Sequence, residues 1–324
     1  MSAAYAHHGE RRFGLLLRQW RVIALVLFLL ALFGLCAFGA ATVVPSSRVL
    51  GTWPLSGMLL ALAAALYLSS HLLRALRLTM LAGNHELSLR RLTLVHYFTS
   101  GVSLLLPFKL GEVYRVIELR TVIGDLRRSM VTVWIERGFD VGALLGLTIL
   151  ALSSNGVAAG AFVPLAAVSA VFLALTVVAL IVLPENLQSL SLFILRRYRS
   201  ERAVMAMRAV HAVLLFLKEG RRIMTGKFMV IGTTTVVIWT LELASLATVL
   251  VAFDAGVGGI LEGFLGYISA TSVQSYRLLA LVPPLLVYGV VVRMSLLMAG
   301  VAAGLTYAPA RLARDRHIHS PSVR

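Results

Sequence analysis

Two long apolar runs without a single charge constrain this chain more than anything else in it. Val22–Val44 and Ala161–Leu183 each hold 23 residues with no Asp, Glu, Lys or Arg. A helix rises about 1.5 Å per residue, so either run covers the roughly 30 Å hydrocarbon core of a bilayer. In lipid every backbone N–H and C=O must be satisfied within the structure, which makes such runs helices. The composition agrees. Of 324 residues, 59% are apolar and 14% are charged, against about a quarter charged in soluble domains. The expected fold is all-α: a polytopic integral membrane protein with about six spanning helices.

The net charge of +16 invites a nucleic-acid reading, but its placement argues otherwise. Arg and Lys cluster between the apolar segments, as the positive-inside rule expects. No zinc-like Cys/His spacing, RNA-binding signature or long basic tail appears, so no nucleic-acid partner is expected. The lone Cys36 lies inside the first run and excludes an intramolecular disulfide or a cysteine metal cluster. That run is longer than a signal-peptide core and no small-residue cleavage site follows it directly, so it reads as the first span.

Each connection votes on topology. The arm 1–21 carries Arg11, Arg12, Arg18 and Arg21 against Glu10 and is expected inside. Pro54–Leu73 crosses back, and Arg74, Arg77, Arg90 and Arg91 then mark the inside. Leu92–Leu106 is apolar over only 15 residues, and Lys109, Arg115, Arg120, Arg127 and Arg128 follow it. A re-entrant hairpin that turns near Pro107 and returns as Gly111–Thr121 keeps those charges inside. Met130–Leu152 crosses outward and Ala161–Leu183 returns. Segment 184–227 has nine basic residues against three acids; its amphipathic middle, with Val204, Met207, Val210, Leu214 and Leu217 at helical spacing, reads as an interfacial helix on the cytoplasmic leaflet, in contact with anionic lipids. Phe228–Phe253 crosses outward and Leu278–Gly304 returns. Pro283-Pro284 is expected to break that last span. Ile260–Tyr276 is apolar and Gly/Ser/Thr-rich, either a second hairpin from the outer face or part of further spans. Two opposed hairpins would suit inverted halves, although no sequence repeat proves them. The expected organisation is a cytoplasmic arm 1–21, one transmembrane domain 22–304 and a basic cytoplasmic tail 305–324, with both termini inside.

The chemistry concentrates in Leu104-Leu-Leu-Pro-Phe-Lys-Leu-Gly-Glu-Val-Tyr-Arg115 and Trp134-Ile-Glu-Arg-Gly-Phe-Asp140. Pro107 and Gly111 bracket a turn. Glu112 and Arg115 share one helical face, as do Glu136 and Asp140. Glu136 and Arg137 stand about 9 Å into the helix that begins near Met130, where an unpaired charge costs up to about 3 kcal/mol. Two readings stay open. One is an ion-pair network that pins the hairpin; the other is a polar pocket in which Lys109, Arg115 and Arg137 face a phosphate. Glu242 and Arg293 lie near the centres of two later spans and are candidate partners for each other. Gly300-Val-Ala-Ala-Gly304 has the small-xxx-small form of close helix packing. His71 and His96 have no metal-ligand company in the sequence, and neither metal nor cofactor is expected. No Gly-x-Ser-x-Gly elbow, His-Glu-x-x-His pair or phosphate-cradling glycine loop is present, and an Arg137 between Glu136 and Asp140 keeps those carboxylates ionised rather than poised for acid/base work.

Leu-Pro-x-Lys-x-Gly-Glu-x-x-Arg, followed by Glu-Arg-x-x-Asp in the next helix, resembles the flippase-like transmembrane region of lysylphosphatidylglycerol synthases. The match is specific over about Ser103–Leu144. The resemblance implies a stand-alone member that handles a membrane lipid, with Glu112, Arg115, Glu136, Arg137 and Asp140 as its polar core. The later half departs from the family's pattern: Ser269-Ala-Thr-Ser-Val-Gln-Ser-Tyr-Arg277 lacks the second Pro/Gly turn and its Glu. Only 20 residues follow Gly304, which leaves no room there for the synthases' aminoacyl-transferring domain, so lipid aminoacylation is not expected. The leading expectation is a lipid flippase-like transporter of a bacterial inner membrane, binding an anionic or phosphate-bearing headgroup at Lys109, Glu112, Arg115, Glu136, Arg137, Asp140, Glu242 and Arg293. The alternative is a membrane-embedded enzyme, or an accessory subunit working with a lipid or glycan synthase partner.

Overall fold

The computed structural model describes residues 53–83, 88–107, 110–153, 162–197, 200–253, 260–273 and 283–318. The expected first span, Val22–Val44, and Lys109 lie outside the described residues. The described residues form ten helices, in order α1 Trp53–Ala82, α2 Leu89–Leu105, α3 Leu110–Ile123, α4 Leu126–Ser153, α5 Val163–Ile181, α6 Leu183–Arg197, α7 Glu201–Met224, α8 Phe228–Ala252, α9 Ile260–Val273 and α10 Pro283–Ile318. No strand occurs among the described residues. Among the described residues, four stretches are long and apolar enough to cross a membrane: Gly57–Ala82, Val163–Ile181, Phe228–Ala252 and Pro284–Tyr307. The outer face of α5 exposes Val168, Val171, Leu175 and Val178, an apolar surface of the kind lipid covers. The chain is an all-α polytopic membrane protein. Helix α4 is long enough to cross at 28 residues, but Glu136, Arg137 and Asp140 interrupt its apolarity.

Several boundaries differ from the sequence expectation. Helix α1 does not end at Leu73; it runs to Ala82 and closes on Gly83, whose φ of 62° suits a glycine past a helix C-terminus. Arg74 and Arg77 therefore belong to the helix interior and cast no vote on the connecting loop. The amphipathic middle of segment 184–227 forms α7, and a further helix, α6, precedes it and packs on it. Pro283-Pro284 begins α10 instead of breaking it; proline is tolerated in a first turn because its missing N–H would have no partner there. That helix also continues past Gly304 to Ile318.

Helix α1 is central. It packs along α8 and against α2, and α2 packs in turn along α10. The Ser245 hydroxyl donates to the Ala63 carbonyl at 2.8 Å, and the Tyr97 hydroxyl to the Leu68 carbonyl at 2.7 Å. At the α2–α10 crossing the backbones touch: a Cβ added to Gly300 would stand 3.0 Å from the Gly101 Cα and 3.1 Å from the Tyr97 carbonyl oxygen. Gly300 and Gly304 thus serve close packing, the second lying against the Phe98 ring.

Helices α2 and α3 run antiparallel. At their closed end a Cβ on Gly111 would fall 2.6 Å from the Ser103 Cα; at the open end Arg91 reaches the Thr121 carbonyl. Leu78, Leu92, Val95, Leu119, Val122 and Val133 form the apolar floor under the open end. Nearby, Lys227 donates to the Met80 carbonyl at 2.6 Å, placing a cation on the orphan carbonyls of the α1 C-terminus.

Candidate functional site: a buried ionic core

The charged residues singled out in α3 and α4 do come together, and they do so through a residue the sequence reading had placed elsewhere. Arg77 of α1 is fully buried. Its guanidinium lies 3.1 Å from Glu136 Oε1 and 2.9 Å from Asp140 Oδ1, and donates to Thr235 Oγ1 of α8 at 2.8 Å. The far oxygen of Glu136 takes Arg115 of α3 at 2.6 Å. Arg137 pairs closely with Glu112 at the start of α3, and reaches Asp140 Oδ2 at 3.6 Å. Glu112, Arg115, Glu136, Arg137 and Asp140 thus form one contiguous cluster, with Arg77 as its hub.

Exposure divides the cluster. Arg77, Arg115 and Glu136 are buried, whereas the Arg137 and Glu112 side chains are 40% and 35% exposed. The inner members hold the helices in register: removing one partner of a buried ion pair strands the other, at about 3–5 kcal/mol. The outer pair is the edge that a solute can reach.

A second polar group lies along α1. Glu242 of α8 is buried and takes Arg74 at 2.6 Å and the Ser70 hydroxyl at 3.2 Å. The expected Glu242–Arg293 pair is therefore corrected. Arg74, one turn before Arg77, is the partner, and Arg293 of α10 lies near Tyr267 of α9 instead. Glu242 and Arg293 both sit mid-span, but a sequence does not say which spans adjoin.

His96 of α2 and His71 of α1 extend the buried contacts from Arg115. His96 Nδ1 faces an Arg115 N–H at 3.3 Å, and its Nε2 lies 3.1 Å from His71 Nδ1. Arginine only donates, so His96 Nδ1 accepts and its Nε2 carries the proton offered to His71. The described residues contain no group of three or more His, Cys, Asp or Glu placed to hold a metal ion.

Beside this polar core runs an apolar groove of about 710 Å³ between α4, α5 and α8. Its walls include Phe139, Leu147, Leu173, Val177 and Trp239, and it meets the ionic core at Thr235.

The fold and its core define an integral membrane protein built around buried ion pairs at a helical hairpin. The model of the lysylphosphatidylglycerol synthase TM region matches residues 19–275, and the chain belongs to that family. The family ties it to membrane lipids. Neither curated proteins nor solved structures yield a match.

Proposed function

We propose that the protein is a lipid flippase-like transporter of a bacterial inner membrane that admits an anionic or phosphate-bearing lipid headgroup at the Arg137 edge of the ionic core. The observation that carries this reading is the contrast in exposure between Arg137 and the buried arginines behind it. A phosphate competes with Glu112 for the Arg137 guanidinium, whose planar fork donates two parallel hydrogen bonds to such a group. Arg77 and Arg115 are committed to carboxylates and act from behind, by fixing Glu136 and Asp140. Glu242 lies in the adjoining polar region, and Arg293 and Lys109 are kept as candidate headgroup contacts on their sequence positions alone. In this reading α2 and α3 are re-entrant, with their open end and both chain termini on the cytoplasmic side, beside Arg90, Arg91, Arg127, Arg128 and Lys227.

The test is reconstitution in vesicles with fluorescent phosphatidylglycerol and a membrane-impermeant quencher. The wild type should alter the sidedness of the probe while leaving its chemistry intact. Arg137→Gln should abolish this, and Arg137→Lys should reduce it while melting within a few degrees of the wild type. A new lipid product in place of changed sidedness would favour the enzyme reading. Equal loss of stability and transport in both Arg137 variants would make the residue a structural pin.

A further inference from the structure

The glycines of α4 and α8 do different work from those of α2 and α10. Gly101 and Gly300 let two backbones touch. Gly138, Gly142 and Gly146 recur every fourth residue on one face of α4, yet no backbone approaches them. A Cβ on Gly138 would meet only the Thr176 methyl at 3.8 Å, and one on Gly142 only Leu173 Cδ2 at 4.0 Å. One on Gly146 would meet nothing within 4 Å, and one on Gly232 of α8 only the Phe139 ring at 3.9 Å. Glycine in a helix interior is a poor choice where alanine fits, so close packing does not account for these four. All four line the apolar groove. Their effect is to keep it clear.

We infer that this groove is a binding site for one hydrocarbon chain of a membrane lipid whose headgroup lies at the ionic core; the inference deepens the transport reading and rests on it. Three observations select that occupant. The first is chemistry: the walls are almost wholly apolar, and the volume falls within the range of ligand pockets, about 300–1,000 Å³. The second is length. Along α4 the lining runs from Ile135 to Leu150, about 22 Å at the helical rise, enough for a chain that fills one leaflet of a roughly 30 Å core. The third is continuity. Thr235 lines the groove and also accepts from Arg77, so the apolar groove abuts the polar core at this hydroxyl.

The experiment uses the full chain in vesicles containing phosphatidylglycerol with a diazirine in one acyl chain. After illumination, adducts are mapped by peptide mass spectrometry. Adducts should concentrate on the groove residues of α4, α5 and α8, and excess unlabelled phosphatidylglycerol should compete them away. Gly146→Leu, which fills open space, should cut groove labelling about tenfold. Gly57→Leu, which adds the same bulk at an exposed site on α1, should not. The groove proposal is overturned by labelling spread evenly over the lipid-facing residues Val168, Val171 and Leu175, or by unchanged groove labelling in a folded Gly146→Leu protein. The headgroup reading is judged separately by Arg137→Gln in the sidedness assay, which does not require an occupied groove.

Discussion

Replacing Arg77 with methionine tests whether the ionic core holds the bundle together. The substitution keeps an unbranched chain of similar reach and removes the guanidinium. Glu136 would keep Arg115 at 2.6 Å, but Asp140 would keep only the 3.6 Å contact with Arg137, and Thr235 would lose its donor. Breaking a buried pair costs about 3–5 kcal/mol. The surviving partners place Arg77→Met at the lower end, near 3 kcal/mol. For a chain of this size 1 kcal/mol corresponds to about 2 °C, so the melting temperature in detergent should fall by about 6 °C. A double-mutant cycle with Asp140→Asn isolates the pair. Once Asp140 carries no charge, losing Arg77 strands less, and the coupling should exceed about 1 kcal/mol. A single variant that melts within about 1 °C of the wild type would refute the reasoning. So would strictly additive effects in the cycle.

Gly111→Ala should destabilise the α2–α3 hairpin, since the added methyl meets the Ser103 Cα at 2.6 Å; proteolysis near Pro107 should quicken. Gly101→Ala should likewise lower the melting temperature by separating α2 from α10, whereas Gly146→Ala should leave it unchanged or raise it by up to about 2 °C, because alanine is the better helix former by about 1 kcal/mol. Thermal melts of the three side by side would decide the matter. Glu242→Gln should cost more stability than Arg293→Gln, because Glu242 pairs with Arg74; the reverse order would restore the discarded Glu242–Arg293 assignment. For orientation, a cysteine at Ser200 should label from the cytoplasmic side and one at Ser154 from the outside, and the opposite pattern would invert the proposed topology.

How much of this was legible in the sequence depended on what each residue needed to be recognised. Glu136, Arg137 and Asp140 stood out because an apolar helix gives a charge no solvent, so each had to find a partner. Glu112 and Arg115 followed from the turn residues before them. Arg77 was misread for a physical reason. A basic residue just past an apolar stretch looks the same whether the helix ends or continues, and only Gly83, six residues on, marks the true end. Partners across the fold were not legible at all: nothing near Glu242 in the chain points to Arg74, 168 positions earlier. The glycines show the same limit. Gly101 and Gly146 read alike in sequence, yet one admits a neighbouring backbone and the other leaves room.

The arithmetic of the core bears on how a headgroup would enter it. Arg74, Arg77, Arg115 and Arg137 face Glu112, Glu136, Asp140 and Glu242, so the paired residues balance in charge. A neutral core does not draw a phosphate in by excess positive charge, as a basic cleft does. Admission is then an exchange: the headgroup takes the place of a carboxylate already bound. Among these pairs only Arg137–Glu112 is accessible enough for that, and Glu112 can turn outward to water when released. In the proposed mechanism the same exchange would free Glu112 at the start of α3, beside the turn where Gly111 meets Ser103, so headgroup binding would act directly on the closed end of the hairpin. A neutral Gln at position 112 would remove the competitor. In the proposed mechanism Glu112→Gln should therefore strengthen binding of phosphatidylglycerol vesicles while weakening the hold of α3 on α4. A variant that lost both affinity and stability would show that Glu112 serves the fold alone.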